Sequence, residues 1–304
     1  MRVISLKVDV DTLRGTREGV PRLAALLASL KIPATFLFSV GPDHTGRAIR
    51  RVFRSGFLSK VRRTSVASHY GISTLLYGTL LPGPDIGRLC RAQLLAVADQ
   101  GFEVGVHSYD HVKWQDGVAS ASSVWTCEQL ELAIEAFETI FGFRPRIHGA
   151  AGWQLNEHVP PLEQGFGFEL ASDTRGFEPF MPAGGGVLQV PTTLPTLDEL
   201  VGVNGAQVDG AMHRILERTR SDGSRHHVFT LHAELEGGAY LSQFEALLRA
   251  WREAGFEFRA LGDTARSLDA KSLPTSRIEM GVIEGRSGML AVQARSNDTR
   301  AASD

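Results

Sequence analysis

Two histidines one helical turn apart follow a short apolar run in Val104-Gly105-Val106-His107-Ser108-Tyr109-Asp110-His111, and two aspartates, Asp9 and Asp11, follow the apolar run Val3-Ile4-Ser5-Leu6-Lys7-Val8. Imidazole suits zinc and its first-row neighbours. Two imidazoles with one carboxylate leave coordination positions open for a water and a substrate oxygen, as a catalytic rather than a structural metal site requires. Strand alternation turns Asp9 and Asp11 to one face and Val10 to the other. Like charges that close repel; a cation beside them relieves the cost, and the carboxylate that does not ligate firmly can act as a base. His232 ends the run Val228-Phe229-Thr230-Leu231, and an imidazole there suits protonation of a leaving amine near neutrality. Asp173, after Phe168-Glu169-Leu170-Ala171-Ser172, is a candidate to orient that histidine. Each group alone has an ordinary reading as a solvated turn, a helix cap or a buried hydrogen-bonded histidine. Their shared position directly after strands gives the set its weight.

The strands that would place these groups are runs at Val3 to Val8, Ala34 to Val40, Glu103 to Val106, Phe168 to Ala171, Val187 to Val190, Val228 to Leu231 and Phe256 to Leu261. Between most of them, apolar residues at three- and four-residue spacing predict helices over about Gly19 to Leu30, Asp85 to Gln100, Trp125 to Ile140, Asn204 to Thr219 and Leu241 to Ala254. Repeated strand then helix argues for parallel sheet and the α/β class. With seven or eight such units and no Pro/Gly-rich linker dividing them, a closed or distorted (β/α) barrel fits better than a doubly wound sheet. In a barrel, functional groups gather at the C-terminal ends of the strands, where Asp9/Asp11, His107/His111 and His232 fall. The barrel is expected over 1–270, with an insertion at about 44–84 and a partly disordered C-terminal extension over 271–304.

The bulk composition excludes little. The 304 residues carry a formal charge of -2, with 43% hydrophobic and 22% charged residues, which gives no support for a nucleic-acid partner. Two cysteines, Cys90 and Cys127, make no disulfide framework and favour a reducing compartment. Lys7, Asp9 and Asp11 interrupt the N-terminal apolar run, so no secretory signal is expected, and no stretch reaches the roughly 18 apolar residues of a membrane span. A cytoplasmic protein, or one held on a membrane surface, is the expectation.

The residue set resembles the polysaccharide deacetylase (NodB-homology) family, metal-dependent carbohydrate esterases that remove acyl groups from amino sugars, and the resemblance covers most of the chain. It implies that Asp9 is the catalytic base and that Asp11, His107 and His111 are the metal ligands, the last two in His107-Ser108-Tyr109-Asp110-His111. It implies that His232, in Thr230-Leu231-His232, is the general acid. One divalent metal is implied, and the ligand set accepts zinc, cobalt, nickel, manganese or iron. The family's Arg-x-Pro motif after the fourth strand is absent, since the chain reads Ile147-His148-Gly149-Ala150-Ala151-Gly152-Trp153. The arginine that tunes the base is therefore missing, and Arg175 is the candidate substitute.

Five blocks point to a narrower branch: Asp9 to Pro21, Phe38 to Asp43, Ala150 to Trp153, Leu194 to Glu199 and Leu231 to Gly237. They are similar to enzymes of the family that release formate from a formamido sugar carried on undecaprenyl phosphate. That branch implies lipid A modification, polymyxin resistance and a peripheral place on the cytoplasmic face of the bacterial inner membrane. A lipid-linked sugar phosphate calls for a phosphate site, for which Arg14 and Arg17 are candidates. It also calls for access to an anionic membrane surface. From Arg47 to Arg63 seven residues are basic (Arg47, Arg50, Arg51, Arg54, Lys60, Arg62 and Arg63) and none is acidic, while Phe53 and Phe57 share one helical face with Ile49, Val52 and Val61. A basic amphipathic insertion of this kind suits an anionic bilayer at about 1 kcal/mol per basic residue. The rival readings are an N-deacetylase or amide hydrolase of the same family with another substrate, and a non-catalytic glycolipid-binding protein. The basic segment disfavours a soluble substrate, and a base and an acid beside a metal disfavour mere binding. Trp153, Phe177, Phe180 and Tyr240 are candidates for a sugar platform, and His148, His158, His213, His226 and His227 are read as structural.

Overall fold

Strand β1 (Arg2–Val10) organises the molecule, because both of its faces are buried. Ile4, Leu6, Val8 and Val10 pack on one side against Val20, Leu23, Ala24 and Leu27 of the helix Val20–Ser29. Ser5, Lys7 and Asp9, on the opposite face by strand alternation, are also buried. A computed structural model describes residues 2–48, 72–201, 207–221, 223–224, 226–269, 271–286 and 288–295.

Around β1 run β2 (Thr35–Ser39), β3 (Glu103–Ser108), β4 (Ile147–His148), β5 (Leu170–Ala171), β6 (Met181–Pro182), β7 (Leu188–Gln189), β8 (His226–His232) and β9 (Phe256–Arg259). The main sheet follows the order β7-β5-β4-β3-β2-β1-β8, with β9 also on β1, and every pairing in it is parallel. β8 takes one edge of β1 from Val3 to Asp9. The other edge is divided between β9 at Arg2–Ser5 and β2 at Lys7–Val10. The sheet curls, and Leu37, Ile147, Leu170, Val190 and Val228 meet in a cluster on its inner side. Parallel pairing brings the C-terminal ends of β1, β3, β4, β5 and β8 to one end of the curl.

The expected α/β barrel is therefore a distorted one, with β7 and β8 at the ends of its strand path and the segment after β7 bonded to β8 through Thr193 N and Leu194 N to Val228 O, each at 3.2 Å. Two differences from expectation stand out. β4 has two residues, too short to announce itself by periodicity. The C-terminal extension, expected to be of little structural weight, carries strands that pack on the barrel in its described residues 271–286 and 288–295. There β10 (Thr275–Ser276) pairs with β6, and β11 (Ile278–Val282) pairs antiparallel with β12 (Met289–Gln293). Ala291 O and Gln293 N bond the backbone of Arg175, at 2.9 and 2.8 Å, and Leu290 and Ala291 are buried. The polar tail beyond residue 295 masks this run in the composition of the segment. Of the 44–84 insertion, 44–48 and 72–84 are described; Arg50, Arg51, Phe53, Arg54, Phe57, Lys60, Arg62 and Arg63 lie outside the described residues. No helix among the described residues is long and apolar enough to cross a membrane.

Candidate active site

Asp11 leaves the end of β1 to face both histidines. His107 Nε2 lies 3.3 Å from Asp11 Oδ1, and His111 Nε2 lies 3.5 Å from Asp11 Oδ2. His107 is held in place because its Nδ1 lies 2.6 Å from the Gly149 carbonyl, which can only accept. A neutral His107 thus carries its proton on Nδ1 and turns the Nε2 lone pair toward the Asp11 oxygen. Two acceptors facing each other at this distance suit a cation between them, and Asp11 Oδ1 is buried with no hydrogen-bond partner. Burial raises the Asp11 carboxyl; were the imidazoles protonated instead, the charge of His111 and the hydrogen bond and charge of His107 would outweigh burial and hold the group well below the usual carboxylate range. His111 opens the helix His111–Gly117. The helix is capped by Asp110, whose Oδ1 accepts from Lys113 N at 3.0 Å while its Oδ2 pairs with His44 Nδ1 at 2.6 Å.

Asp9 and His232 flank this cluster as register partners on adjacent strands. Asp9 is 2% exposed; its Oδ2 lies 3.5 Å from Lys7 Nζ, and its Oδ1 has no hydrogen-bond partner. His232 is 8% exposed, its charged form acts on Asp11, and its Nδ1 is likewise unpartnered. An acceptor and an imidazole, both desolvated and neither engaged by the protein at these atoms, stand beside a three-ligand cation cradle.

No protein-family model matches the chain. A probable 4-deoxy-4-formamido-L-arabinose-phosphoundecaprenol deformylase ArnD of Shewanella sediminis (strain HAW-EB3) is 36% identical over 293 residues, spanning 96% of this chain and 94% of that protein. A second, from Wigglesworthia glossinidia brevipalpis, is 33% identical over 288 residues, covering 92% of this chain and 99% of its own. The chain belongs to the ArnD deformylase family. Among solved structures, a polysaccharide deacetylase-type protein from Mycobacterium smegmatis matches with a TM-score of 0.64 and 16% identity, over 93% of this chain and 96% of that one. The curled sheet is thus the polysaccharide deacetylase fold.

In this ArnD-family chain several groups around the site were not anticipated. Glu234 and Glu236 follow β8 on the His232 loop. Glu234 Oε1 accepts from Asp11 N, Thr12 N and Thr12 Oγ1 at 3.1, 2.9 and 2.8 Å, tying the Asp11 turn to that loop. Glu236 Oε2 accepts from His232 N at 2.9 Å, and burial pushes its carboxyl up to about 8. The cation beside Asp9 is Lys7, where Arg175 was expected. Arg175 is buried and engaged elsewhere: its guanidinium pairs with Glu199 and donates to Leu194 O at 2.9 Å. Its Cζ lies 5.2 Å from the centre of the Trp153 ring, which Arg286 of the C-terminal extension also covers at 4.5 Å.

The expected pairing of Asp173 with His232 is corrected. Asp173 Oδ1 accepts from Ala150 N at 2.7 Å and lies 3.3 Å from His148 Nδ1, and its Oδ2 accepts from Gln189 Nε2 at 3.0 Å. The strand register is the reason: β5, which ends just before Asp173, pairs with β4 so that Ala171 stands beside His148. His148, read as an ordinary structural histidine, is the centre of a wholly buried trio with Asp173 and Glu163, whose Oε1 is 2.5 Å from His148 Nδ1. Burial opposes protonation of His148, but Asp173, reinforced by Glu163, wins and pushes it up to about 10. Burial and the Asp173 charge push Glu163 well above its ordinary value, whereas His148 holds Asp173 far below its own. Within the trio the charged forms of His148 and Asp173 thus favour each other, and burial and Asp173 favour the neutral form of Glu163. The trio's ligand atoms are as close together as those of Asp11, His107 and His111.

Because the folded pKa of His148 lies above the unfolded value near 6.5, its stabilisation is complete below about pH 6.5 and is lost as pH rises through about 10. His148→Leu strands a buried Asp173 charge and is expected to destabilise the fold by about 3–5 kcal/mol at pH 6. In denaturant titrations the gap to the parent protein should narrow between pH 7 and pH 10; a gap independent of pH would contradict the charged assignment.

The remaining candidates are placed as follows. Arg14 Nε pairs with Glu18 at 3.2 Å, and Arg17 lies against the Cys90 thiol. Arg47 Nε donates to Gly78 O at 2.9 Å, folding the start of the insertion back on its own end.

Proposed function

We propose that the chain is a metal-dependent hydrolase that removes the formyl group of 4-deoxy-4-formamido-L-arabinose-phosphoundecaprenol, giving the 4-amino sugar lipid and formate. The facing His107 and Asp11 acceptors, flanked by the unpartnered Asp9 oxygen and His232 nitrogen, carry the reading. Relatives whose names specify that substrate support it. On this reading residues 1–270 are the catalytic barrel and the product serves the placing of aminoarabinose on lipid A, the modification behind polymyxin resistance.

Asp11, His107 and His111 would hold one divalent cation, which supplies Lewis acidity for the formyl oxygen and acidifies a water. Zinc, cobalt, nickel, manganese and iron all suit the set. Asp9 Oδ1 takes the proton of the attacking water as its oxygen bonds to the formyl carbon. His232 delivers a proton to the sugar nitrogen as the C–N bond breaks, so that one water is consumed per amine and formate released. The Glu236 bond to His232 N and the Glu234 bonds to the Asp11 turn keep acid and ligand in register with each other.

The phosphate of the substrate is assigned to Arg14 and Arg17, and its lipid to an anionic membrane surface on the cytoplasmic face of the inner membrane. Exposed Leu80, at 81%, and Leu81, at 42%, close the insertion and support a surface that meets lipid.

The test is mass spectrometry of the formamido lipid before and after incubation with metal-loaded protein, with the acetamido analogue alongside. Loss of CO from the formamido lipid alone is expected. No formate release rejects the reading, and preference for the acetamido lipid favours the deacetylase alternative. Pelleting with anionic vesicles, reversed by high salt, is the expected result for the membrane assignment.

A further inference from the structure

We infer that Lys7 is the positioning residue for Asp9, holding one carboxylate oxygen so that the other is presented to the site. The inference rests on the reading of Asp9 as the base and adds a residue to it.

Lys7 lies within a strand, is 0% exposed, and sits two residues before Asp9 on the same face of β1. Taking an ammonium out of water carries a penalty of several kcal/mol, and an apolar side chain could fill the same volume without it. What distinguishes lysine here is therefore what its nitrogen touches. Nζ donates to Ser172 O at 2.8 Å, lies 3.5 Å from Asp9 Oδ2, and stands 5.2 Å from the Trp153 ring centre. These contacts come from three separate parts of the inner wall, so the nitrogen has little freedom to leave.

At Gly149 a Cβ would stand 3.3 Å from Lys7 Cε, 3.5 Å from Nζ and 2.3 Å from Leu37 Cδ1. A side chain at 149 would therefore clash with Leu37 and press only lightly on the lysine stem, and the same glycine's carbonyl accepts from His107. The consequence falls on Asp9, whose oxygens become unequal. Oδ2 is turned to Lys7, while Oδ1 is without a hydrogen-bond partner and lies 4.0 Å from Nδ1 of the His107 ring, on the far side of the carboxylate from the contact with Lys7 Nζ. No other cation is placed to do this among the described residues that contact Asp9. Arg175, the expected substitute, is held by Glu199, Thr192 O and Leu194 O.

The experiment compares Lys7→Gln, which can still donate to Ser172 O but carries no charge, with Lys7→Arg, each alone and in the Asp9→Asn background. Lys7→Gln is expected to lower kcat by about 10- to 100-fold, the scale of an ångström-level misplacement of a catalytic group. KM and stoichiometric metal should be retained, and Lys7→Arg should restore most of the rate. In the Asp9→Asn background Lys7→Gln should cause no further loss. A crystal structure of Lys7→Gln should show the Asp9 carboxylate turned from its position beside His107. Unchanged kcat in Lys7→Gln, or an equal further loss in the Asp9→Asn background, overturns the inference. If the unsubstituted protein turns over no formamido lipid, the functional reading fails by itself. The crystallographic arm still decides whether Lys7 holds Asp9, and an unmoved carboxylate rejects it. Should Lys7→Gln not fold, Lys7→Met, which keeps an apolar stem of similar length, carries the same comparisons.

Discussion

Asp9→Asn is expected to bind its divalent metal in full and to lose turnover by about 10²- to 10⁴-fold, the range spanned by general acid–base catalysis. The amide matches the carboxylate in shape, so the metal-side ligands Asp11, His107 and His111 keep their places. What disappears is the basic oxygen at Oδ1, the atom left without a partner in the buried site. The substitution also leaves Lys7 as a buried cation whose carboxylate is gone, so a lower melting temperature should accompany the kinetic defect. Metal analysis on the purified variant, paired with kcat, separates the roles. A variant that keeps more than about a tenth of the parent kcat would remove Asp9 from proton transfer.

His107→Ala should fail one step earlier, with both metal and turnover lost. Its ring links two things: Nε2 faces Asp11 Oδ1, and Nδ1 donates to the Gly149 carbonyl. Truncation reduces the cradle to Asp11 and His111 and leaves that carbonyl unsatisfied, which costs about 1–3 kcal/mol if water does not enter. Thermal unfolding gives a readout independent of activity. A ligand that binds only the folded state stabilises it by mass action, so metal should raise the melting temperature of the parent protein and not of the variant. Stoichiometric metal in His107→Ala after dialysis would contradict the ligand assignment.

Together the two substitutions separate holding the cation from moving the proton. They also bear on the partner logic of the site, where each functional residue is held by a particular neighbour. His107 is fixed by the loop after β4, Asp11 by Glu234 after β8, and Asp9 by a residue of its own strand.

How much of this was legible beforehand follows from the range of the interactions involved. Strand periodicity and the run of strand then helix are local, so the parallel sheet and the gathering of Asp9, Asp11, His107, His111 and His232 at one end could be read from the chain. The pairing of Asp173 was misread because it depends on which strands are lateral neighbours and in what register, and β5 lies beside β4 with Ala171 against His148. Glu163 went unnoticed and His148 was read as merely structural for the same reason, since a buried trio drawn from separate segments leaves no spacing signal. Lys7 was the one missed residue with a local clue: alternation already put it on the face of Asp9, yet it read as an interruption of an apolar run. Its value became visible only when the Ser172 carbonyl and the Trp153 ring were brought against it. The linear order of residues, through the two-residue period of strands and the chemistry of imidazole and carboxylate, determined which groups could form the site. The folded sheet decided which buried charges meet, because pairing between charges is set by distance through space and by desolvation, and neither is written in the spacing along a single strand.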